Sequence, residues 1–207
     1  ALSRSEMEAS LPRHLNELWK TYLELERDHI RSQALKALAR FVEEMGPVPA
    51  DISHSWARML ARRVIDEGDV TPVRLPLFRS VLFPALWAGI RMEAQGCARW
   101  LAGFSQHLYQ CASCLEQLPS NARSEHGLLL LAVRQDPDDR LAKDRLRDTM
   151  RRNFDYALHE LPRGILYGHN GATVEQCDEL LKDLADYDAL ATEIGQTEVD
   201  RNLIAKA

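Results

Sequence analysis

Several sets of side chains have types and spacings that could do chemistry. His107, Cys111 and Cys114 follow one another at four and three residues, close enough to converge on one side of a helix. Cys-x-x-Cys supplies the thiolates that zinc binding or thiol–disulfide exchange requires. A structural zinc site usually takes four ligands, and no second pair follows at finger spacing. A redox pair normally opens a helix, whereas this one extends a pattern already running through Phe104, Leu108, Leu115 and Leu118. The plainer expectation is buried thiols packed as small apolar side chains, with no metal and no cofactor. Glu26-x-x-His29 has the spacing that di-iron bundles use to aim two ligands inward, but those sites need a second such motif and further carboxylates. Gly164, Gly168 and Gly171, three of the ten glycines, fall in a loop that also holds Tyr167, His169 and Asn170. Tyr167, His169 and Asn170 form a candidate binding site there; the alternative is that the glycines only turn the chain between helices.

Arg152-Asn153 followed by His159 resembles the Arg-polar-x4–5-His motif of the HEPN superfamily, all-helical proteins that include metal-independent ribonucleases and toxin-type enzymes. The resemblance implies that Arg152 would hold phosphate, Asn153 would support it and His159 would act as acid/base, commonly across a dimer interface. Positions seven apart fall about 20° apart around an α-helix, so Arg152 and His159 share a face. Arg140, Arg147 and Arg151 add a basic strip on another flank. The same residues also suit ordinary surface pairing, because Asp148 and Asp155 each lie four positions before them.

The elements that must position these residues read as helices throughout. Leu15, Leu18, Trp19, Tyr22 and Leu25 recur at three- and four-residue spacing and predict a helix over about 11–28. A second is expected over 31–45 (Ala34, Leu35, Leu38, Phe41, Val42), with one bent helix as the alternative. Another follows from about Ser53 to Glu67. Residues 69–75 should run extended around Pro72, and two helices then cover about 77–118, with Pro84 kinking the first or starting it afresh. Gly89, Gly96 and Gly103 sit seven apart: either they line one helix face that a neighbour can approach closely, or the chain breaks at Gln95-Gly96. A short helix to Gln135 and a long one to Leu161, with an apolar arc of Ala142, Leu146, Met150, Phe154, Ala157 and Leu161, precede the glycine loop. Thr173 with Gln176 forms a capping-box signature for the next helix, whose stripe is Val174, Cys177, Leu180, Leu181, Leu184, Tyr187 and Leu190. No segment alternates with period two. The prediction is all-α: one domain over 1–207, a bundle or stacked helical hairpins of about eight or nine helices, with a short C-terminal helix through Leu203 as one option and residues 1–10 and 196–207 prone to fraying. Leu128 to Pro137 resembles the second helix and closing turn of a tetratricopeptide repeat through the Ala132-to-Pro137 spacing, although no repeat period appears elsewhere.

Composition narrows the function classes. Hydrophobic residues are 45% and charged residues 28%, which suits a packed globular chain rather than disorder. A net charge of −5 argues against general nucleic-acid binding. The longest uncharged apolar run, Ser80 to Ile90, is too short for a membrane span. The first ten residues lack a signal-peptide apolar stretch, and the cysteines lack disulfide-scaffold spacing, so a cytoplasmic location is expected. With no complete catalytic constellation, the expected function is a non-enzymatic helical module that binds a protein partner. A HEPN-like ribonuclease using Arg152 and His159 is the alternative, and a homodimer remains open.

Overall fold

The computed structural model describes residues 11–160, 165–166, 169–170 and 173–206. Among them the fold is all-α, with eleven helices. The chain divides into two compact units, one through Ser124 and the other from Glu125.

In the first unit, α1 (Arg13–Arg27) and α2 (Arg31–Met45) bury most of the expected stripes, Leu15, Trp19 and Tyr22 on one and Ala34, Leu38 and Phe41 on the other. Leu18, Leu25 and Val42 are half-buried, Leu35 is exposed, and Ala37 and Met45 are buried beside them, while α3 (Ala50–Asp66) buries Trp56, Ala57, Leu60 and Ala61. α1 and α2 are separate helices because His29 takes a left-handed conformation (φ 58°). The amide of Ile30 then reaches back to the Leu25 carbonyl at 2.8 Å and that of His29 to Glu26 at 3.1 Å, closing the helix end. α3 starts at Ala50, earlier than expected, because the Pro49 carbonyl already accepts from Ile52 and Ser53. Trp19 lies at the centre of an aromatic cluster. Its ring centroid is 5.3 Å from Tyr22, 5.2 Å from Phe41 and 5.1 Å from Trp56, the last edge-on. Such pairs add about 0.5–1.5 kcal/mol each beyond the area they bury.

α4 runs through Leu75–Leu77, a wider π turn over Phe78–Leu82 and Phe83–Arg91. Pro84 has no amide to give the preceding turn, and the widened turn ahead of it lets the helix continue without a break. The chain does break before Cys97, where Glu93 (φ 55°) and Gly96 (φ 78°) both adopt left-handed backbone. A side chain at Gly96 would also run into the Trp100 ring. At Gly89 a Cβ would collide with the Cys97 sulfur, so this glycine permits the close return of α5 (Cys97–Gly103) onto α4. Short α6 (Ser105–Tyr109) and α7 (Ala112–Leu115) replace the continuous helix that the leucine spacing suggests.

The second unit is built on a hairpin of α8 (Glu125–Gln135) and α9 (Arg140–Glu160). Asp139 caps α9 through a 3.0 Å bond from the Ala142 amide. α9 buries Ala142, Leu146, Met150, Phe154 and Ala157, the arc predicted for it. After α9 a two-residue antiparallel ladder pairs Ile165 with Asn170 and Leu166 with His169. That is strand pairing where the sequence shows no period-two pattern; two residues per strand are too few to display one. α10 (Val174–Ile194) opens with the predicted capping box: Thr173 Oγ1 accepts from the Gln176 amide at 3.3 Å, and the Gln176 side chain accepts from the Thr173 amide at 3.0 Å. The C-terminal segment, expected to fray, forms α11 (Glu198–Lys206) and is pinned by Asp200, which is 1% exposed and accepts from the Tyr187 hydroxyl at 2.5 Å.

Candidate functional site

Only part of α10 finds a partner surface. Tyr187, Ala191 and Ile194 are buried, and Tyr187 meets Phe154 of α9 edge-on at 5.6 Å. In the first half of the helix the stripe is uncovered: Val174 is 73% and Leu181 61% exposed, and Cys177, Leu180 and Leu184 are half-buried. Helical spacing predicts the stripe but cannot say how much of it a neighbour reaches.

Where the helices part, a pocket of about 320 Å³ opens in the second unit. Its floor is apolar, made by Met150, Phe154 and Ala157 of α9 and Leu180 of α10. Its polar lining comes from every helix around it: His126 of α8, Asn153, Tyr156 and Glu160 of α9, and Asp183 of α10. His126 Nδ1 is buried and, among the described residues, has no hydrogen-bond partner. A buried polar atom without a partner is uncommon and costs about 1–3 kcal/mol unless something from outside the chain satisfies it. Asp183 is exposed overall; partial desolvation of its carboxyl is the chief reason that the carboxyl is held above its ordinary range, with Asp186 and Glu179 pushing the same way and His126 and Lys182 opposing. The Glu160 side chain is mostly buried, and its carboxylate lies 3.8 Å from His159 Nε2.

The first unit holds a larger depression, about 650 Å³, lined by charged residues that include Glu26, Asp69 and Arg74. Its charges answer one another. Glu26 takes both arms of the Arg74 guanidinium at 2.9 and 2.6 Å, and the hydrogen bond from Arg74 chiefly holds its carboxyl below the usual range. Burial pulls Asp69 upward, but bonds from the Thr71 hydroxyl and amide and from Arg63 outweigh it and leave it low. Glu26 is thereby a structural partner of Arg74 rather than half of a metal-binding Glu-x-x-His.

The residues singled out by spacing are dispersed. Asn153 lines the pocket, but Arg152 and His159 do not. Arg152 is 61% exposed and donates to Glu125 at 3.2 Å and to the Thr149 hydroxyl at 3.1 Å; His159, 65% exposed, lies 3.8 Å from the Glu160 carboxylate. The basic strip is likewise engaged, Arg140 with Asp144, and Arg147 and Arg151 with Asp148. Cys111 and Cys114 are buried and joined as a disulfide, with Cα atoms 5.2 Å apart. Cys111 leaves helical backbone (φ −122°, ψ 83°) and opens α7, so the pair does begin a helical turn, contrary to the reading of its spacing. His107 Nε2 lies 2.8 Å from the Val73 carbonyl. Disulfide sulfurs offer no thiolates, and no group of three or more His, Cys, Asp or Glu among the described residues could hold a metal ion. Of the loop candidates, Tyr167 lies outside the described residues, and His169 and Asn170 are described only as backbone partners in the ladder.

His126 and Asp183 are the residues that sequence reasoning missed. They stand 57 positions apart on different helices (183 − 126), and nothing in the local pattern of either marks it. Among the described residues no helix is long and apolar enough to cross a membrane. Comparison with protein-family models, curated proteins and solved structures gives no match. The reading of function therefore rests on the pocket and the uncovered helix face.

Proposed function

We propose that this chain is a non-enzymatic interaction module that binds a protein partner through the open half of α10 and the pocket beside it. One observation carries this reading: an apolar helix face that is buried at its C-terminal end and uncovered at its N-terminal end, next to a pocket with a polar lining. Leu181 at 61% and Tyr156 at 62% exposure are large apolar groups left in water beside a cleft. Clustered exposure of this kind marks binding surfaces more than scattered apolar residues do. Tyr156 also suits an interface chemically, since a tyrosine buries a large apolar ring and keeps a polar tip.

The test is capture followed by reconstitution. A partner retained by wild-type protein and bound again with purified components should bind at least about tenfold more weakly to Leu181→Glu and to Tyr156→Ala, a loss of about 1.4 kcal/mol or more. Met92→Ala, which removes an equally exposed side chain from the first unit, should bind normally. Equal binding by all these proteins would overturn the proposal.

A further inference from the structure

Resting on that reading, we infer that the pocket takes a cationic side chain of the partner, a lysine or arginine whose aliphatic stem lies on the apolar floor and whose charge meets Asp183, Glu160 and His126. The charge of the walls decides the sign of the occupant. Among the described residues no lysine or arginine lines the pocket, while two carboxylates do. α10 itself carries Glu175, Asp178, Glu179, Asp183, Asp186, Asp188 and Glu193 against a single Lys182. Among the described residues Asp183 makes no hydrogen bond, and although it is exposed, partial desolvation and neighbouring acids already bias its carboxyl toward protonation. A cation placed beside it removes that cost, which an anion would increase.

The remaining polar groups fit the same occupant. A neutral imidazole whose Nδ1 carries no proton is an acceptor there, so an ammonium or guanidinium N–H satisfies the buried atom of the site that has no partner among the described residues. The Asn153 side-chain carbonyl is a second neutral acceptor, and the Tyr156 ring offers a π face to the charge. The apolar floor favours a cation with a hydrocarbon stem over a bare metal ion, in line with the lack of a metal-competent cluster among the described residues. Size agrees as well. About 320 Å³ is at the bottom of the range for small-molecule sites, room for one long side chain but not for a nucleotide cofactor.

The experiment uses the full chain, isotopically labelled, and titrates n-butylammonium and n-butylguanidinium against n-butanol and butyrate while amide shifts are followed. The two cations should give saturable shifts centred on His126, Asn153, Tyr156 and Asp183, with butanol and butyrate at least about tenfold weaker. Asp183→Asn and Glu160→Gln should each weaken the cations about tenfold and leave butanol unchanged, in proteins whose spectra remain folded. Whichever cation binds more tightly names the partner residue. Butanol binding as tightly as the cations would overturn the inference, as would cation shifts that spread over all acidic surfaces without saturating, or that survive both substitutions. The two proposals fail separately: a reconstituted partner that needs Leu181 and Tyr156 but is indifferent to Asp183→Asn and Glu160→Gln overturns the cation pocket alone. Specific cation binding by a protein for which Leu181→Glu and Tyr156→Ala leave partner binding unchanged overturns the interaction surface alone.

Discussion

The two depressions of this molecule invert the usual expectation about size. The larger, in the first unit, encloses about 650 Å³, yet its buried carboxylates are already satisfied: Glu26 by Arg74, Asp69 by Thr71 and Arg63. The smaller, in the second unit, encloses about 320 Å³ and leaves Asp183 and the Nδ1 of His126 without hydrogen bonds among the described residues. Elsewhere in the first unit the mostly buried Asp66 has Arg99 and the Trp100 indole N–H as partners, the latter at 2.6 Å. Polar groups that a fold needs are answered by the fold itself. Trp56 Nε1 of the first unit also lacks a hydrogen bond among the described residues but lines neither depression, whereas His126 Nδ1 lies in a pocket where a ligand can supply the missing partner. That combination, rather than volume, marks the candidate site.

Substitutions can break or sharpen this contrast. The largest effect is expected at the aromatic centre of the first unit. Trp19→Ala should cost about 3–5 kcal/mol in denaturant unfolding followed by circular dichroism, because Tyr22, Phe41 and Trp56 cannot all close on the space. A loss below about 1 kcal/mol would mean that the cluster does not organise that unit.

Next is the pair of aspartates. Asp66→Ala removes the carboxylate that ion-pairs with the buried Arg99 guanidinium, 7% exposed, and should cost about 3 kcal/mol or more. Asp183→Asn at neutral pH should cost nothing and can raise the unfolding midpoint. The sign follows from its raised pKa: the folded state binds the proton more tightly, so the ionised carboxylate lowers stability above the folded pKa, and that cost vanishes as pH falls below the ordinary aspartate value of about 3.9. If Asp183→Asn destabilised the protein as Asp66→Ala does, the distinction between structural and binding carboxylates would fail.

A smaller effect belongs to Asp200, the counterexample within the second unit. Burial raises its pKa, but the bonds from the Tyr187 hydroxyl and from Thr197 prevail and hold it low. Its contribution is present above the ordinary value of about 3.9 and is lost as pH falls through the depressed folded value. Asp200→Asn should therefore flatten part of the acid limb of a stability-versus-pH curve, and Tyr187→Phe should cost about 1–2 kcal/mol at neutral pH. An unchanged acid limb would show that the C-terminal helix is held by Leu203 and its apolar neighbours instead.

The smallest effect is chemical. Burial pushes the Cys97 thiol up to about 11, against a slight lowering by Arg58, so it should resist alkylation at pH 8 in the folded protein. Cys177, half-buried on the open half of α10, should react, and partner binding should protect it. Equal labelling of both thiols, read by mass spectrometry, would contradict the difference in cover between the two regions.

Much of the architecture is legible in the sequence, because it is decided by neighbours three or four residues apart. The stripe Leu15-Trp19-Tyr22, the Thr173–Gln176 capping box, the arc of α9 from Ala142 to Ala157 and the hairpin at Pro137 all follow from local spacing and turn chemistry. So does the all-α class. Local signals also mislead where a tertiary contact or one residue's backbone overrides them. Cys111 interrupts a leucine pattern that reads as continuous, and the stripe of α10 is apolar throughout but covered only from Tyr187 onward. The pocket lies beyond the reach of sequence, since His126, Glu160 and Asp183 become neighbours only when three helices pack. Helix formation is a matter of nearest neighbours along the chain. The satisfaction of a buried charge depends on what arrives from elsewhere in it, and that was decided by the tertiary structure alone.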